Sequence, residues 1–309
     1  MRHVFVLIFV LVILLPLTSF SQKWKRQRVE YSLGFGASNF LGDLGGRNQE
    51  GTDFVMDLEL QATRYAANLG YRYQFGRDWF VKGNLIYALV SGDDALTQQP
   101  SRARRKLNFK AHIVELSAQL EYLLVRQKSG HLYRLRGVRG KSWFRFEVYL
   151  IGGIGGIWYS PYGRRNGSWT SLSGLNTEGQ GLPGGPSDYS GFSAVIPYGI
   201  GLRRNLGGGA RSRRFGSFSI SLELTVRKTF TDYIDDVSTY YYNDGGSRAI
   251  EAAYGADAGY FHDPSGHYAE GGYGEPQQRG DVTDKDAYML GILALNYKIR
   301  KRRRNLPKF

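Results

Sequence analysis

The sequence predicts an all-β fold: an eight-stranded antiparallel transmembrane β-barrel with a filled lumen. Three observations carry this expectation. Apolar and polar residues alternate over segments of spanning length, an exported-type N-terminus precedes them, and no later segment is apolar for long enough to cross a membrane as a helix. The alternation is cleanest at residues 218–227, where Phe218, Ile220, Leu222, Leu224 and Val226 share one parity and Ser219, Ser221, Glu223, Thr225 and Arg227 the other. Successive strand side chains point to opposite faces, so this segment has one greasy face and one wet or ion-paired face. About ten such residues match a tilted strand crossing a bilayer.

Composition agrees. The chain has 309 residues, 42% of them hydrophobic, with 22 Tyr, 17 Phe and 41 Gly. Abundant aromatics and glycine suit a sheet with tight bends. Cysteine is absent, which excludes a disulfide framework, a thiol nucleophile and a lipid-attachment cysteine. The formal net charge is +14.

The N-terminus reads as a secretory signal. Met1-Arg2-His3 is a short basic start, residues 4–17 are a continuous apolar run, and Ser19-Phe20-Ser21 offers small residues at the positions a signal peptidase reads. Cleavage is expected after Ser21. The alternative, an uncleaved spanning helix, is disfavoured because the run falls short of the ~20 residues required. Residues 1–21 are thus read as signal peptide, 22–299 as barrel, and 300–309 as a basic periplasmic tail. An exported chain that crosses by strands alone belongs in an outer membrane.

The strands are expected in order. The first covers residues 29–39, with Val29, Tyr31, Leu33, Phe35 and Ala37 on one parity. The second, 66–75, alternates Leu69, Tyr71, Tyr73 and Phe75 with Asn68, Gly70, Arg72 and Gln74, and the tight turn Gly76-Arg77-Asp78 follows. The third covers 80–91. The fourth, 109–124, sets Val114, Leu116, Ala118, Leu120 and Tyr122 against Glu115, Ser117, Gln119 and Glu121. The fifth, 144–159, carries Gly152-Gly153-Ile154-Gly155-Gly156, a run that lets a barrel wall bend. The sixth covers 195–202, the seventh 218–227 and the eighth 287–299.

An even strand number puts both ends of the mature chain in the periplasm. Connections 76–78, 126–142 and 203–216 are then periplasmic, and 41–65, 92–108, 160–193 and 231–286 extracellular. Charge follows this division. Lys23, Lys25, Arg26 and Arg28 precede the first strand, Arg126, Lys128, Arg134, Arg136, Arg139 and Lys141 lie in one inner turn, and Arg203, Arg204, Arg211, Arg213 and Arg214 in another. The tail adds Lys298, Arg300, Lys301, Arg302, Arg303, Arg304 and Lys308, whereas the last outer loop is acidic. Such a basic rim can dock an acidic periplasmic partner, grip lipid phosphates or simply aid solubility. Docking is preferred because Leu132-Tyr133-Arg134-Leu135-Arg136-Gly137-Val138-Arg139 mixes apolar residues with arginine, as interfaces do. Nucleic acid, the usual partner of basic patches, is scarce in that compartment.

The inward parity offers Glu30, Arg72, Lys82, Glu115, Glu121, Arg145, Glu147, Glu223 and Arg227. An eight-stranded barrel is just wide enough for side chains to fill, so mixed charges there should pair across the lumen and plug it rather than line an ion path. Neither catalysis nor a cofactor is indicated: there is no nucleophile-elbow serine and no helix-borne HExxH. His262, Asp263 and His267 are read as solvated loop residues rather than metal ligands, and the Asp-rich 231–238 segment as turn capping rather than a calcium site. Arg279-Gly280-Asp281, a cell-adhesion tripeptide, is read as chance.

Three segments resemble a known family. Asn39-Phe40-Leu41-Gly42-Asp43-Leu44-Gly45-Gly46 follows the first strand, Thr231-Asp232-Tyr233-Ile234-Asp235-Asp236-Val237-Ser238 follows the seventh, and Gln278-Arg279-Gly280 leads through Asp286 and Tyr288 into the last. In this order and spacing they resemble the PorG-like outer-membrane barrels of the Bacteroidota type IX secretion system. The resemblance implies a non-enzymatic barrel, embedded in outer-membrane lipid, that ties a periplasmic ring of lipoprotein and partner protein to the membrane for protein secretion and, in some species, gliding. It implies no nucleic acid, no small-molecule substrate and no catalytic residues. The Gly/Tyr-rich stretch 254–273 stands out as a loop insertion. Rival expectations are a small channel or transporter, a rim-active lipid enzyme, and a barrel paralogue outside secretion.

Overall fold

The computed structural model describes residues 27–44, 61–97, 99–126, 146–206, 217–268, 270–272, 275, 277–281 and 284–299. The expected signal segment and basic tail and most of connections 126–142 and 203–216 lie outside them.

Alternation produces strands: β1 (Val29–Leu41), β2 (Arg64–Gln74), β3 (Trp79–Asp93), β4 (Asn108–Val125), β5 (Glu147–Arg165), β6 (Ser168–Ser171), β7 (Phe192–Asn205), β8 (Ser217–Thr229) and β9 (Ala287–Ile299). Eight of them form an antiparallel sheet in the order β4-β3-β2-β1-β9-β8-β7-β5, and the β4–β5 pairing closes it into a barrel. The expected strand count and closure are therefore present. The short β6, unforeseen, is a hairpin arm on the extended end of β5, with Arg164 paired to Trp169.

Both β1 and β9 put their outer chain ends at one rim, the terminal end, and the long connections gather at the other, the loop end. The sheet's outside is apolar. Leu33, Leu69, Leu85, Leu116, Leu120, Ile154, Ile200, Leu224 and Leu293 are all exposed there. Aromatic pairs border this band at the terminal end, including Trp79–Tyr122, Tyr31–Tyr71 and Phe218–Tyr297. At the loop end Tyr65–Tyr87, Tyr87–His112 and Trp158–Phe192 do the same. His112 and Tyr122 are ten positions apart on β4, about 34 Å of strand, or about 25 Å along a membrane normal at a ~45° tilt. That is the height of the apolar band of a membrane-spanning barrel.

Beyond the loop-end aromatics the alternation reverses sense. On β4, Glu115 and Ser117 point inward beneath the girdle, but Phe109, Ala111 and Ile113 point inward above it, with Asn108, Lys110 and His112 facing out. Val90 of β3, Ile157 and Tyr159 of β5 and Leu290 of β9 join this second interior, and Phe40 packs edge-on against Phe109 at 4.8 Å. The strands outrun the ~10 residues a bilayer needs, so their upper parts enclose an apolar core of ordinary soluble type.

Described parts of the loops over this core are structured. Asp93 caps a 3-10 turn (Asp94–Leu96) through Ala95 N–H at 2.9 Å, and α1 (Pro100–Arg105) opens on its proline. The last loop holds α2 (Gly246–Tyr254) and α3 (Ala256–His262), joined at Gly255, whose φ of +98° suits glycine. The connection 231–286 was expected only as an extracellular loop, and these two helices within it were not foreseen. Ile250 and Ala258 are buried with Tyr242, which pays for their order by removing apolar surface from water.

Candidate functional site

Three features can bear function: the lumen, the loop-end cap and the terminal rim. The lumen is plugged. At the terminal end Glu30 Oε2 accepts from Arg72 Nη1 at 3.1 Å and lies 3.4 Å from Arg203 Nη1 and 3.9 Å from Lys298 Nζ. Arg72 Nε donates to Glu121 at 2.5 Å, and its guanidinium lies 3.5 Å from the Phe80 ring centroid. One layer up, Lys82 Nζ donates to both Glu223 oxygens at 2.7 Å, and the Tyr149 hydroxyl joins Glu223 at 2.8 Å. Above them Glu115 accepts from Arg227 Nε at 3.0 Å, the Tyr288 hydroxyl at 2.8 Å and the Ser117 hydroxyl at 2.7 Å. Arg72, Lys82, Arg203 and Arg227 balance Glu30, Glu115, Glu121 and Glu223, so no net charge is stranded in the low-dielectric interior. Ile234 and Val237, fully buried, stopper the apolar storey from the loop side.

Two lumen expectations change. Arg203, assigned to a docking turn, is 2% exposed and paired with Glu30. The strand runs three residues past the expected end at 202, and residue 203 falls on the inward parity. Glu147 is half-buried at the terminal rim and accepts from Asn205 at 3.3 Å, with no cation within 4.0 Å among the described residues. Arg145 lies outside the described residues. Tyr149 and Tyr288 went unnoticed as partners, although both sit on the inward parity.

The cap assembles the motif segments. Asp235, 1% exposed, accepts from Leu44 N–H at 3.1 Å and Val237 N–H at 3.0 Å. Asp286 accepts from Ile234 N–H at 2.9 Å, and Asp232 from the Ser238 hydroxyl at 2.6 Å. Asp236 adopts φ +63°, a left-handed turn that Asp tolerates, and accepts from Thr177 and Tyr189 hydroxyls at 2.6 and 2.5 Å. Tyr233 stacks on Tyr189 at 4.4 Å, and Thr231 bonds the Tyr159 hydroxyl at 2.9 Å. Asp43 accepts the Asp281 N–H at 2.7 Å, while a Cβ on Gly42 would run into Phe40 and Asp286. Local turn capping, the expected role of 231–238, covers only the Asp235–Val237 and Asp232–Ser238 bonds; the others reach residues 44, 159, 177, 189 and 286.

Arg279 rivets the cap. It donates to Glu178 at 2.9 Å and to the carbonyls of Asp236, Phe261 and His262 at 2.6, 3.1 and 3.3 Å. At 2% exposure it is closed to any adhesion receptor. Arg105 crosses from α1 to Asp94 at 3.0 Å, the Asp43 carbonyl at 3.1 Å and the Arg279 carbonyl at 2.5 Å. His262, expected in solvent, is buried with Nδ1 2.7 Å from the Thr177 carbonyl.

Burial dominates the cap's titration. It pushes the Asp43 carboxyl up to about 6, against the Asp281 amide and with the help of Asp232. Asp236 is also raised to about 6 by burial, although Arg279 pulls the other way. Asp235 is raised by burial and by the charges of Asp286 and Asp43, and Asp286 by burial and by Asp232 and Asp43. Burial, then the Arg279 charge, lowers His262 to about 4. Among the described residues no group of three or more His, Asp or Glu is placed to hold a metal ion.

At the terminal rim Arg126 is exposed and paired with Asp78 across the Gly76–Asp78 turn. Arg204 faces outward, 5.8 Å from the Phe146 ring. Lys128, Arg134, Arg136, Arg139, Lys141, Arg211, Arg213, Arg214 and Arg300 to Arg304 lie outside the described residues, as do Gly45 and Gly46.

A family model described as "Domain of unknown function (DUF6089)" matches residues 2–163, from the N-terminus through most of β5. The chain belongs to this family. Among solved structures, the DUF6089 chain is similar to Ail, the attachment invasion locus protein of Yersinia pestis, at TM-score 0.37 and 12% identity, covering 89% of this chain and 99% of that one. It is also similar to Neisserial surface protein A at TM-score 0.33 and 8% identity, covering 88% and 96%. The outer membrane protein OprG from Pseudomonas aeruginosa gives TM-score 0.33 and 12% identity, covering 89% and 98%. No curated protein sequence matches.

Proposed function

We propose that this DUF6089 member is a non-enzymatic outer-membrane component of type IX secretion, with both chain ends in the periplasm, that anchors a periplasmic ring complex through its basic terminal rim. The observation that carries the reading is the double seal of the barrel: an ion-paired plug in the membrane storey and an apolar stopper above it. A barrel filled in this way acts through its rims rather than through a pore. The three segments that resemble the PorG-like barrels support the assignment, because they meet in one interlocked cap. The arginine-rich turn at 126–142 supplies the docking charge. The test reverses Arg134, Arg136 and Arg139 to Glu and follows a crosslinked ring complex in the outer-membrane fraction. Release of the ring while the barrel stays in the membrane is the expected result; unchanged co-purification refutes the anchor.

A further inference from the structure

Just above the loop-end girdle the outer wall at β4 and β5 carries two cations, Lys110 and Arg164, with no paired carboxylate among the described residues. Lys110 points outward from β4, half-buried, with its Nζ 4.2 Å from the Trp169 ring centroid and 5.8 Å from that of Tyr162. Arg164, exposed, follows Tyr162 on the same face of β5 and is paired with Trp169 of the β6 arm. Its backbone is fixed by Asn108, whose Oδ1 accepts the Arg164 N–H at 2.8 Å. Neither Lys110 nor Arg164 has a carboxylate oxygen within 4.0 Å among the described residues. Elsewhere on the loop end, Arg165 pairs with Asp257 and Lys228 with Asp284. Below Lys110 the wall continues as His112, bonded to the Tyr87 hydroxyl at 2.7 Å.

Depth decides what such a patch meets. Lys110 is two positions beyond His112, about 5 Å further along the normal at a ~45° tilt. That is headgroup level, where aromatic rings anchor a barrel and long cationic side chains reach phosphate. A cation beside aromatic rings at headgroup depth, just above the hydrocarbon, is matched by an anion carried by a lipid headgroup. Among the described residues the β6 arm pairs with β5 alone, and it carries the Trp169 ring to Lys110.

We propose that Lys110, Arg164, Tyr162 and Trp169 form a binding site for the phosphate of an anionic lipid headgroup, one with no cationic group of its own to neutralise it, at the loop-end interface of the barrel. The orientation proposed above places that interface in the outer leaflet, so the source is the glucosamine phosphate of lipid A; inverted, the site would meet a glycerophospholipid instead.

The experiment uses the full-length protein folded in detergent micelles, with bound lipid counted by native mass spectrometry. Bisphosphoryl lipid A, phosphatidylglycerol and phosphatidylcholine are the probes, and wild type is compared with the Lys110→Gln/Arg164→Gln double variant. Heat-modifiable migration on gels checks folding of both, and membrane fractionation checks the outer-membrane reading separately. The wild type should retain lipid A at least tenfold better than phosphatidylcholine, and the double variant should lose most of that preference while still folding. Trp79 and Trp158 also face outward in the girdles, so a Trp169→Phe variant should lose only that part of the lipid A-dependent change in tryptophan emission which the Lys110→Gln/Arg164→Gln variant also loses. Equal retention of phosphatidylglycerol and lipid A would support the site and assign it to anionic headgroup phosphate generally, as distinct from the zwitterionic phosphatidylcholine. Undiminished lipid A retention by the folded double variant, or equal retention of phosphatidylcholine, would overturn the site.

Discussion

Glu30 is the keystone of the terminal-end plug, and its removal gives the sharpest test of the lumen. Its Oε2 faces Arg72 at 3.1 Å, Arg203 at 3.4 Å and Lys298 at 3.9 Å. At an effective dielectric of about 20, the two shorter contacts are each worth about 5 kcal/mol before desolvation. Arg72 keeps Glu121 at 2.5 Å when Glu30 is gone, but Arg203 keeps no carboxylate within 4.0 Å among the described residues. Glu30→Ala therefore strands a fully buried guanidinium, which costs about 3–5 kcal/mol. The Glu30→Ala/Arg203→Met pair removes the stranded charge and should recover most of that loss. Glu121→Ala should cost less than Glu30→Ala, because its partner Arg72 retains a carboxylate. The assay is reversible urea unfolding in lipid vesicles followed by tryptophan fluorescence. A Glu30→Ala cost below about 1 kcal/mol, or a double variant as unstable as the single, would refute the keystone.

Replacing Arg279 with Ala should loosen the cap by about 3–5 kcal/mol of local stability, because Glu178 is left buried and unpaired; hydrogen exchange should quicken at residues 236–241 while the urea midpoint of the barrel stays put. The raised Asp43 and Asp236 carboxyls bind protons in the folded cap that the open cap releases, so they erode its stability as pH climbs from 3.8 to about 6. His262 acts oppositely, favouring the folded cap as pH climbs from about 4 to 6.5. Asp43→Asn keeps an acceptor for the Asp281 amide and removes the charge, so protease cutting of the cap should become less pH-dependent between 4 and 6; an unaltered profile would refute the assignment. Finally, liposomes carrying the folded barrel should show no swelling in small sugars, whereas Lys82→Ala/Glu223→Ala, which empties one ion-paired layer, tests whether the apolar stopper alone keeps the seal.

The membrane storey was legible in the sequence because one rule governs it. The Phe218–Arg227 stripe, the Val114–Tyr122 stripe and the charges opposite them sit on the faces that alternation assigns. Arg203 was misplaced for a local reason: Gly199, Gly201 and Pro197 dilute the β7 stripe, so its end could not be read and the arginine fell to the turn. The cap was illegible in mechanism, though its segments were noticed. Its bonds join residues 43, 178, 235, 279 and 286, and no local pattern announces that Arg279 will find Glu178. Polar loops look solvated until a long-range partner removes them from water, and His262 was misread for that reason.

The reversal of alternation along β4 means that no single face of a strand is greasy from end to end. At one height Leu116 belongs outside and Glu115 inside; a few positions on, Phe109 belongs inside and Lys110 outside. The strand is a two-solvent object, written for hydrocarbon below and for water above, and the His112 level is the waterline. A leucine that would be silent at position 116 should invite aggregation at position 110, so tolerance to substitution measures how far the barrel stands clear of its membrane.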